Sequence, residues 1–316
     1  MAKTIDLLGL VKRANSLRPN TKRAYSNAVR QWIDFAGDSP AAWTVENAQA
    51  FYDKLLADGI AVATANNMIT GGLSYVFGRA AALYPGVVAD ITVAVDRAKD
   101  LDEDARSRPL ALHAPQAQAL LTACDGPRLI DMRDRAMAVI GLYTGMRVMS
   151  LVDIHTDRVH QHHNFVLISV VQKGGKPYRV PLDNRAWALT ENYRKSLQRT
   201  RGNAGPLFPG LRSQLIPGGI TEVVGEGLTD NGAYKALARR ADKAHLSHFH
   251  PHLFRHTFAT WCRSAKIEDY LIEVVTGHKS NRGLVHRVYT DETQLHDEVT
   301  TRCYEAMSAR LTELKP

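Results

Sequence analysis

The stretch His252-Leu253-Phe254-Arg255-His256, followed by Gly277-His278 and then Tyr289, gathers ionisable side chains within 38 residues near the C-terminal end of a 316-residue chain. Read with Arg147 far upstream, the set can grip a phosphate oxyanion and present a phenol to attack phosphorus. A phenol has an unperturbed pKa of about 10 and is mostly protonated at neutral pH. To act as a nucleophile it needs a proton acceptor and nearby positive charge that favours the phenolate. The charge that develops on the non-bridging oxygens of a phosphodiester also needs neutralising. Arginine suits that task, because its planar fork of donors matches phosphate and stays protonated. Two arginines, a lysine and histidines around one tyrosine meet both needs with no metal and no cofactor.

These groups need elements to hold them. Pro251 suits the first turn of a helix, where a missing N–H costs nothing. From there Phe254, Phe258 and Trp261 repeat at helical spacing, and His252, Arg255 and His256 fall together on another face. The spacing therefore predicts a helix over residues 251–265 that anchors one side in a core and turns the ionisable side to a cleft. Ile267, Tyr270, Leu271, Val274 and Val275 make a second clean stripe ending at Gly277, which sets His278 just past a helix terminus. Leu284, Val285 and Val288 predict a short helix carrying Tyr289. Met132, Ala136, Val139, Ile140 and Tyr143 predict an amphipathic helix that stops at Gly145, two residues before Arg147.

Phe165 to Val171 is the one clear strand, and Tyr178 to Leu182 is its expected hairpin partner across the Gln172–Lys176 turn. A helix is expected over 228–245. The first ~100 residues read as helices only, with stripes at Tyr25–Ala36, Val45–Leu56, Met68–Ala80 and Val88–Ala98. The charged run before Pro109 has linker composition. The fold class is thus mainly α: a helical domain over 1–104, a linker over 105–109, and a mixed α+β domain with a small antiparallel sheet over 110–316.

Forty Lys+Arg against 32 Asp+Glu leave the chain at +8. Residues 1–105 hold 11 basic and 12 acidic side chains, whereas 106–316 hold 29 and 20. Such an excess favours polyanions through counterion release. Lys12, Arg13, Arg18, Lys22, Arg23 and Arg30 in the first domain, and Arg239, Arg240 and Lys243 in the second, are candidate phosphate contacts. Three widely spaced cysteines suggest reduced thiols and a cytoplasmic setting. No apolar run reaches the roughly 20 residues of a membrane span. His160-x-His162 could chelate, but no carboxylate or cysteine completes a set, so no metal site is expected.

The chain resembles the tyrosine recombinases, the phage-integrase family of site-specific DNA recombinases. The resemblance rests on Thr144-Gly145-Met146-Arg147, Lys173-Gly174 with Val180-Pro181-Leu182, His252 to His256, Gly277-His278 and Tyr289, five matches in order. It implies that Tyr289 attacks the scissile phosphate to form a 3′-phosphotyrosyl link. Arg147 and Arg255 would clamp the non-bridging oxygens with His278 as a third donor, Lys173 would protonate the departing 5′-oxygen, and His252 would accept or relay the nucleophile's proton. It also implies a helical core-binding domain, a double-stranded DNA site as partner, a Holliday-junction intermediate and a homo-tetramer on two duplexes, with a monomer or dimer off DNA.

Two positions depart from the family pattern. Ser150 stands where an acid usually supports the first arginine, with Asp153 one turn further on, and His278 to Tyr289 spans 11 residues where nine is common. Only about 18 residues precede the first bundle, so a simple recombinase of inverted core sites is the expected type. A type IB topoisomerase-like relaxer and an inactive DNA-binding accessory protein are the competing readings. The C-terminal stripe through Leu295, Val299, Tyr304 and Leu311 fits docking either in cis or on a neighbouring protomer.

Overall fold

The computed structural model describes residues 5–99, 111–171, 177–202, 204–216, 219–277 and 292–311. The chain divides into two compact units, Met1–Arg106 and Ser107–Pro316. The fold is mainly α, with an all-helical first unit and a small antiparallel sheet in the second. No helix among the described residues is long and apolar enough to cross a membrane.

In the first unit, α1 (Leu7–Lys12), α2 (Pro19–Ala36), α3 (Val45–Ala57), α4 (Val62–Asn67), a π-helical stretch (Met68–Leu73) and α5 (Ser74–Leu83) surround an aromatic core. Trp32 sits edge-on to both Phe51 and Phe77, at centroid separations of 5.5 and 5.7 Å. The expected fourth helix over Val88–Ala98 is corrected: those residues form turns and irregular chain. Val88, Ile91 and Val95 are buried as the spacing predicts. The helix does not form because the Asp90 carboxylate takes both the amide and the hydroxyl of Thr92, at 3.1 and 2.6 Å, a local bond that competes with helix geometry.

The second unit is built around α7 (Leu129–Thr144), which follows α6 (Ala114–Ala123). From Ala136 to Thr144 every residue of α7 is buried, so it is a central helix rather than an amphipathic surface one. The short α8 (Val148–Val152) leads to a sheet of order β1 (Val159–Gln161), β2 (Phe165–Val171), β3 (Pro177–Asp183). The expected hairpin is present, with β2 and β3 antiparallel from Phe165↔Asp183 to Val171↔Pro177. Next come α9 (Asn184–Ala188) and α10 (Glu191–Arg201), and then a second hairpin, β4 (Pro209–Ile216) with β5 (Gly219–Gly227), that the spacing did not predict. The remaining helices are α11 (Asp230–Lys243), α12 (His252–Ser264), α13 (Asp269–Thr276) and α14 (Glu292–Ser308). α12 packs on α7, and α14 on β3, α12 and α13, closing one core.

Candidate active site

Two helices of this unit end in the same way. α7 finishes Thr144-Gly145 and α13 finishes Thr276-Gly277, with both glycines left-handed at φ 58° and 68°. Such a cap favours glycine because a Cβ there meets the following carbonyl. At each end the threonine hydroxyl turns back to the carbonyl four residues earlier, Thr144 to Ile140 at 2.6 Å and Thr276 to Ile272 at 2.9 Å. The glycine amides close the last turns on Gly141 and Glu273, at 2.9 and 2.8 Å. The two ends are neighbours: a Cβ on Gly145 would lie 3.2 Å from the Thr276 methyl and 3.1 Å from the Phe258 ring.

Arg255 joins them. Its Nη1 donates to Gly145 O at 3.1 Å and to Thr276 O at 2.6 Å, with the side chain buried beneath α12. Carbonyls at helix C-termini carry the negative end of the helix dipole, so they partly offset the charge of a buried guanidinium. Burial, and then the charge of Arg147, push the Arg255 pKa down to about 10, while Tyr178 acts in the opposite sense. It still stays protonated at neutral pH. Arg147 itself is the N-cap of α8, extended at φ −70° and ψ 148°, half-buried, and in no salt bridge among the described residues.

The ionisable face of α12 differs from its expected form. His252 and His256 lie at the surface with ring centroids 4.9 Å apart, edge to face, but Arg255 turns inward between them. The His252 pKa is lowered, first by burial and then by the charges of His256, Arg255, His250 and Arg147. His250 is lowered by burial and by His256. A neutral imidazole close to two guanidiniums can accept a proton. His250, Tyr178 and the two Thr-Gly carbonyls are contributors that spacing alone missed. Only the repeated Thr-Gly pair and the inward alternation of Tyr178, Val180 and Leu182 on β3 could have pointed to them.

The structure brings Arg147, His252 and Arg255 together. Lys173, His278 and Tyr289 lie outside the described residues. Asp153, one turn beyond Ser150, accepts the Val171 N–H at 2.9 Å at the end of β2, and Ser150 is buried. No group of His, Cys, Asp or Glu suited to a metal occurs among the described residues. His162 instead stacks on Phe165 at 4.6 Å.

The expected phosphate contacts divide. In the first unit Lys12, Arg13, Arg18, Arg23 and Arg30 are exposed, with Arg13 3.4 Å from Asp6 and the Lys22 ammonium donating to Lys12 O at 2.9 Å. On α11, Arg239 is exposed, and Lys243 reaches Ala123 O at 3.2 Å. Arg240 is corrected from a surface contact to a scaffold residue. Its guanidinium lies 2.8 Å from Asp134 and 2.7 Å from Asp131 with 12% of the side chain exposed, because two buried carboxylates at the start of α7 need a cation. Arg128 and Arg133 complete the cluster, each pairing with one of these aspartates. Asp131 is held at about 2, chiefly by Arg128 and then, against burial, by Arg240.

The profile of the phage integrase family matches residues 111–296, which include every candidate catalytic residue. The chain belongs to the phage integrase family. Tyrosine recombinase XerD of Listeria monocytogenes is 29% identical over 203 residues, 63% of this chain and 61% of that protein. XerD of Pseudomonas aeruginosa is 26% identical over 289 residues, 87% of each chain. The match thus spans about three fifths of the Listeria relative, and more of the Pseudomonas one. In fold, the chain is similar to the XerH site-specific recombinase bound to its difH substrate, with a TM-score of 0.64, 17% identity, and 91% of this chain and 82% of that one covered. It is also similar to a lambda integrase dimer bound to a COC′ core site, with a TM-score of 0.62, 18% identity, and 87% and 96% covered.

Proposed function

We propose that this chain is a site-specific DNA recombinase that cuts and rejoins strands through a 3′-phosphotyrosyl intermediate. The observation that carries the reading is Arg255 held on two helix-end carbonyls beside Arg147 and a neutral His252. That arrangement supplies fixed positive charge for a phosphate and a proton acceptor close by. In the proposed step the Tyr289 oxygen attacks phosphorus and its proton passes to His252. The bond from phosphorus to the 5′-oxygen breaks, and Lys173 gives that oxygen a proton. Arg147, Arg255 and His278 hold the non-bridging oxygens. Attack by the 5′-hydroxyl of a partner strand reverses the step, so bond energy is conserved.

Residues 1–104 serve as the core-binding domain, 105–109 as the linker and 110–316 as the catalytic domain. The exposed arginines and lysines of α1 and α2, with Arg239 and Lys243, contact phosphates. Strand exchange needs four cleaved strands, so the active species is a tetramer on two duplexes, passing through a Holliday junction. The lambda integrase tetramer bound to a Holliday junction supports that assembly by analogy of fold.

The test uses the full chain and a library of random duplexes nicked at scattered positions, from which detergent-resistant adducts are isolated and sequenced. The expected product is a duplex linked by its 3′-phosphate to Tyr289, located by peptide mass spectrometry. Two copies of the recovered site in one plasmid then yield recombinants. No adduct from the wild type, or an adduct that persists in Tyr289→Phe, overturns the reading. Relaxation of supercoiled plasmid with no recombinant points to a topoisomerase-like relaxer, and specific binding without an adduct to an accessory protein.

A further inference from the structure

Arg255 depends on a carbonyl at the end of a helix only eight residues long. A helix that short is marginal alone, and its last four carbonyls lack intrahelical donors. Thr276 O stays beneath Arg255 only if something else fixes that turn. The Gly277 amide takes Glu273 O from within the turn, at 2.8 Å. From outside, the Tyr178 hydroxyl donates to Val274 O, two residues before Thr276. Tyr178 stands opposite Val170 in a ladder of seven paired residues, and Val180 and Leu182 on the same strand face are buried. The sheet is therefore a rigid mount for the phenol.

We infer that Tyr178 is a positioning residue for the phosphate clamp: from β3 it pins the Val274 carbonyl and so fixes the Thr276 carbonyl that orients Arg255. The inference rests on the proposed role of Arg255 as a phosphate donor. Tyr178 does not touch the reacting atoms in this account. It sets the angle at which Arg255 meets them, a contribution that matters in proportion to the charge on the scissile phosphate.

The experiment compares single-turnover adduct formation by wild type, Tyr178→Phe and Arg255→Ala on the nicked duplex recovered above. Each is also tested on the same duplex with a neutral methylphosphonate at the scissile position. Loss of one orienting hydrogen bond is expected to slow Tyr178→Phe about five- to tenfold on the phosphodiester, with duplex affinity unchanged. On the methylphosphonate, where no full negative charge needs clamping, the two proteins should react at matching rates. Equal slowing on both substrates, or a wild-type rate on the phosphodiester, overturns the inference. If Arg255→Ala cleaves at the wild-type rate, the clamp reading itself fails, which is a separate outcome. Should Tyr178→Phe unfold, 4-aminophenylalanine at the same position retains a donor. A folded protein that cleaves at the wild-type rate then supports the inference, and a slow one overturns it.

Discussion

At the N-terminal end of α7, Arg128, Arg133 and Arg240 share the carboxylates of Asp131 and Asp134, with contacts of 2.7–2.9 Å. At the C-terminal end of the same helix, the acceptors described for Arg255 are main-chain carbonyls, and Arg147 forms no salt bridge among the described residues. Both placements agree with the helix dipole, which favours carboxylates at the first end and guanidiniums at the second. They differ in what remains. Carboxylates neutralise their arginines, so the first cluster is scaffold. Carbonyls orient an arginine without neutralising it, so the second end keeps positive charge for an anion to complete.

The first way to break this contrast is Arg240→Ala. It leaves Asp131 with Arg128 alone and Asp134 with Arg133 alone, and should cost about 1.5–3 kcal/mol, read as a lower denaturant midpoint. In the wild type, the folded pKa of Asp131 lies below its ordinary 3.8. Its share of stability is therefore present above that pH and lost as the pH falls towards about 2. A merely weakened duplex affinity at unchanged stability would make Arg240 a DNA contact after all.

Arg147→Ala comes next and should do the reverse, leaving the midpoint nearly unchanged while slowing adduct formation about 10²–10³-fold. Wild-type cleavage by a folded variant would remove the basis of the contrast.

Gly145→Ala tests the geometry beneath both arginines. The positive φ and the 3.1 Å approach to Phe258 predict a loss of about 1–2 kcal/mol, with cleavage slowed because Gly145 O shifts under Arg255. Unchanged stability and rate would mean the left-handed cap carries no weight.

Two smaller effects sharpen the picture. Arg239→Ala should lower the salt slope of duplex binding by about one while leaving stability alone, unlike its neighbour Arg240. The cleavage rate should stay level through neutral pH and fall only below the ordinary imidazole value of 6.5. His252 must be neutral to accept a proton, and its pKa is shifted downward. An inflection above 6.5 would remove His252 from that role.

Much of this was legible in the residues. The stripe from Phe254 to Trp261, the stop at Gly277 and the hairpin from Phe165 to Leu182 follow from side-chain period and turn chemistry, and the structure has each of them. Family membership was legible from the same boxes. The inward turn of Arg255 was not. Helical spacing groups it with His252 and His256, and only the approach of two distant helix ends gives it somewhere to go. Arg240 likewise looks like surface charge until α7 and α11 are packed together. The turns of 88–98 escaped because Asp90 and Thr92 settle a local contest that apolar spacing does not register.

The Thr-Gly ends carry a consequence for how this chain can change over generations. A supporting carboxylate can be deleted by one codon, and the residue three places after Arg147 is a serine, Ser150. A peptide carbonyl survives every side-chain replacement at its own position. An arginine whose footing is Gly145 O and Thr276 O is therefore robust to drift in the residues around it. Such a footing keeps Arg255 in place through any side-chain change that leaves the two helix ends intact.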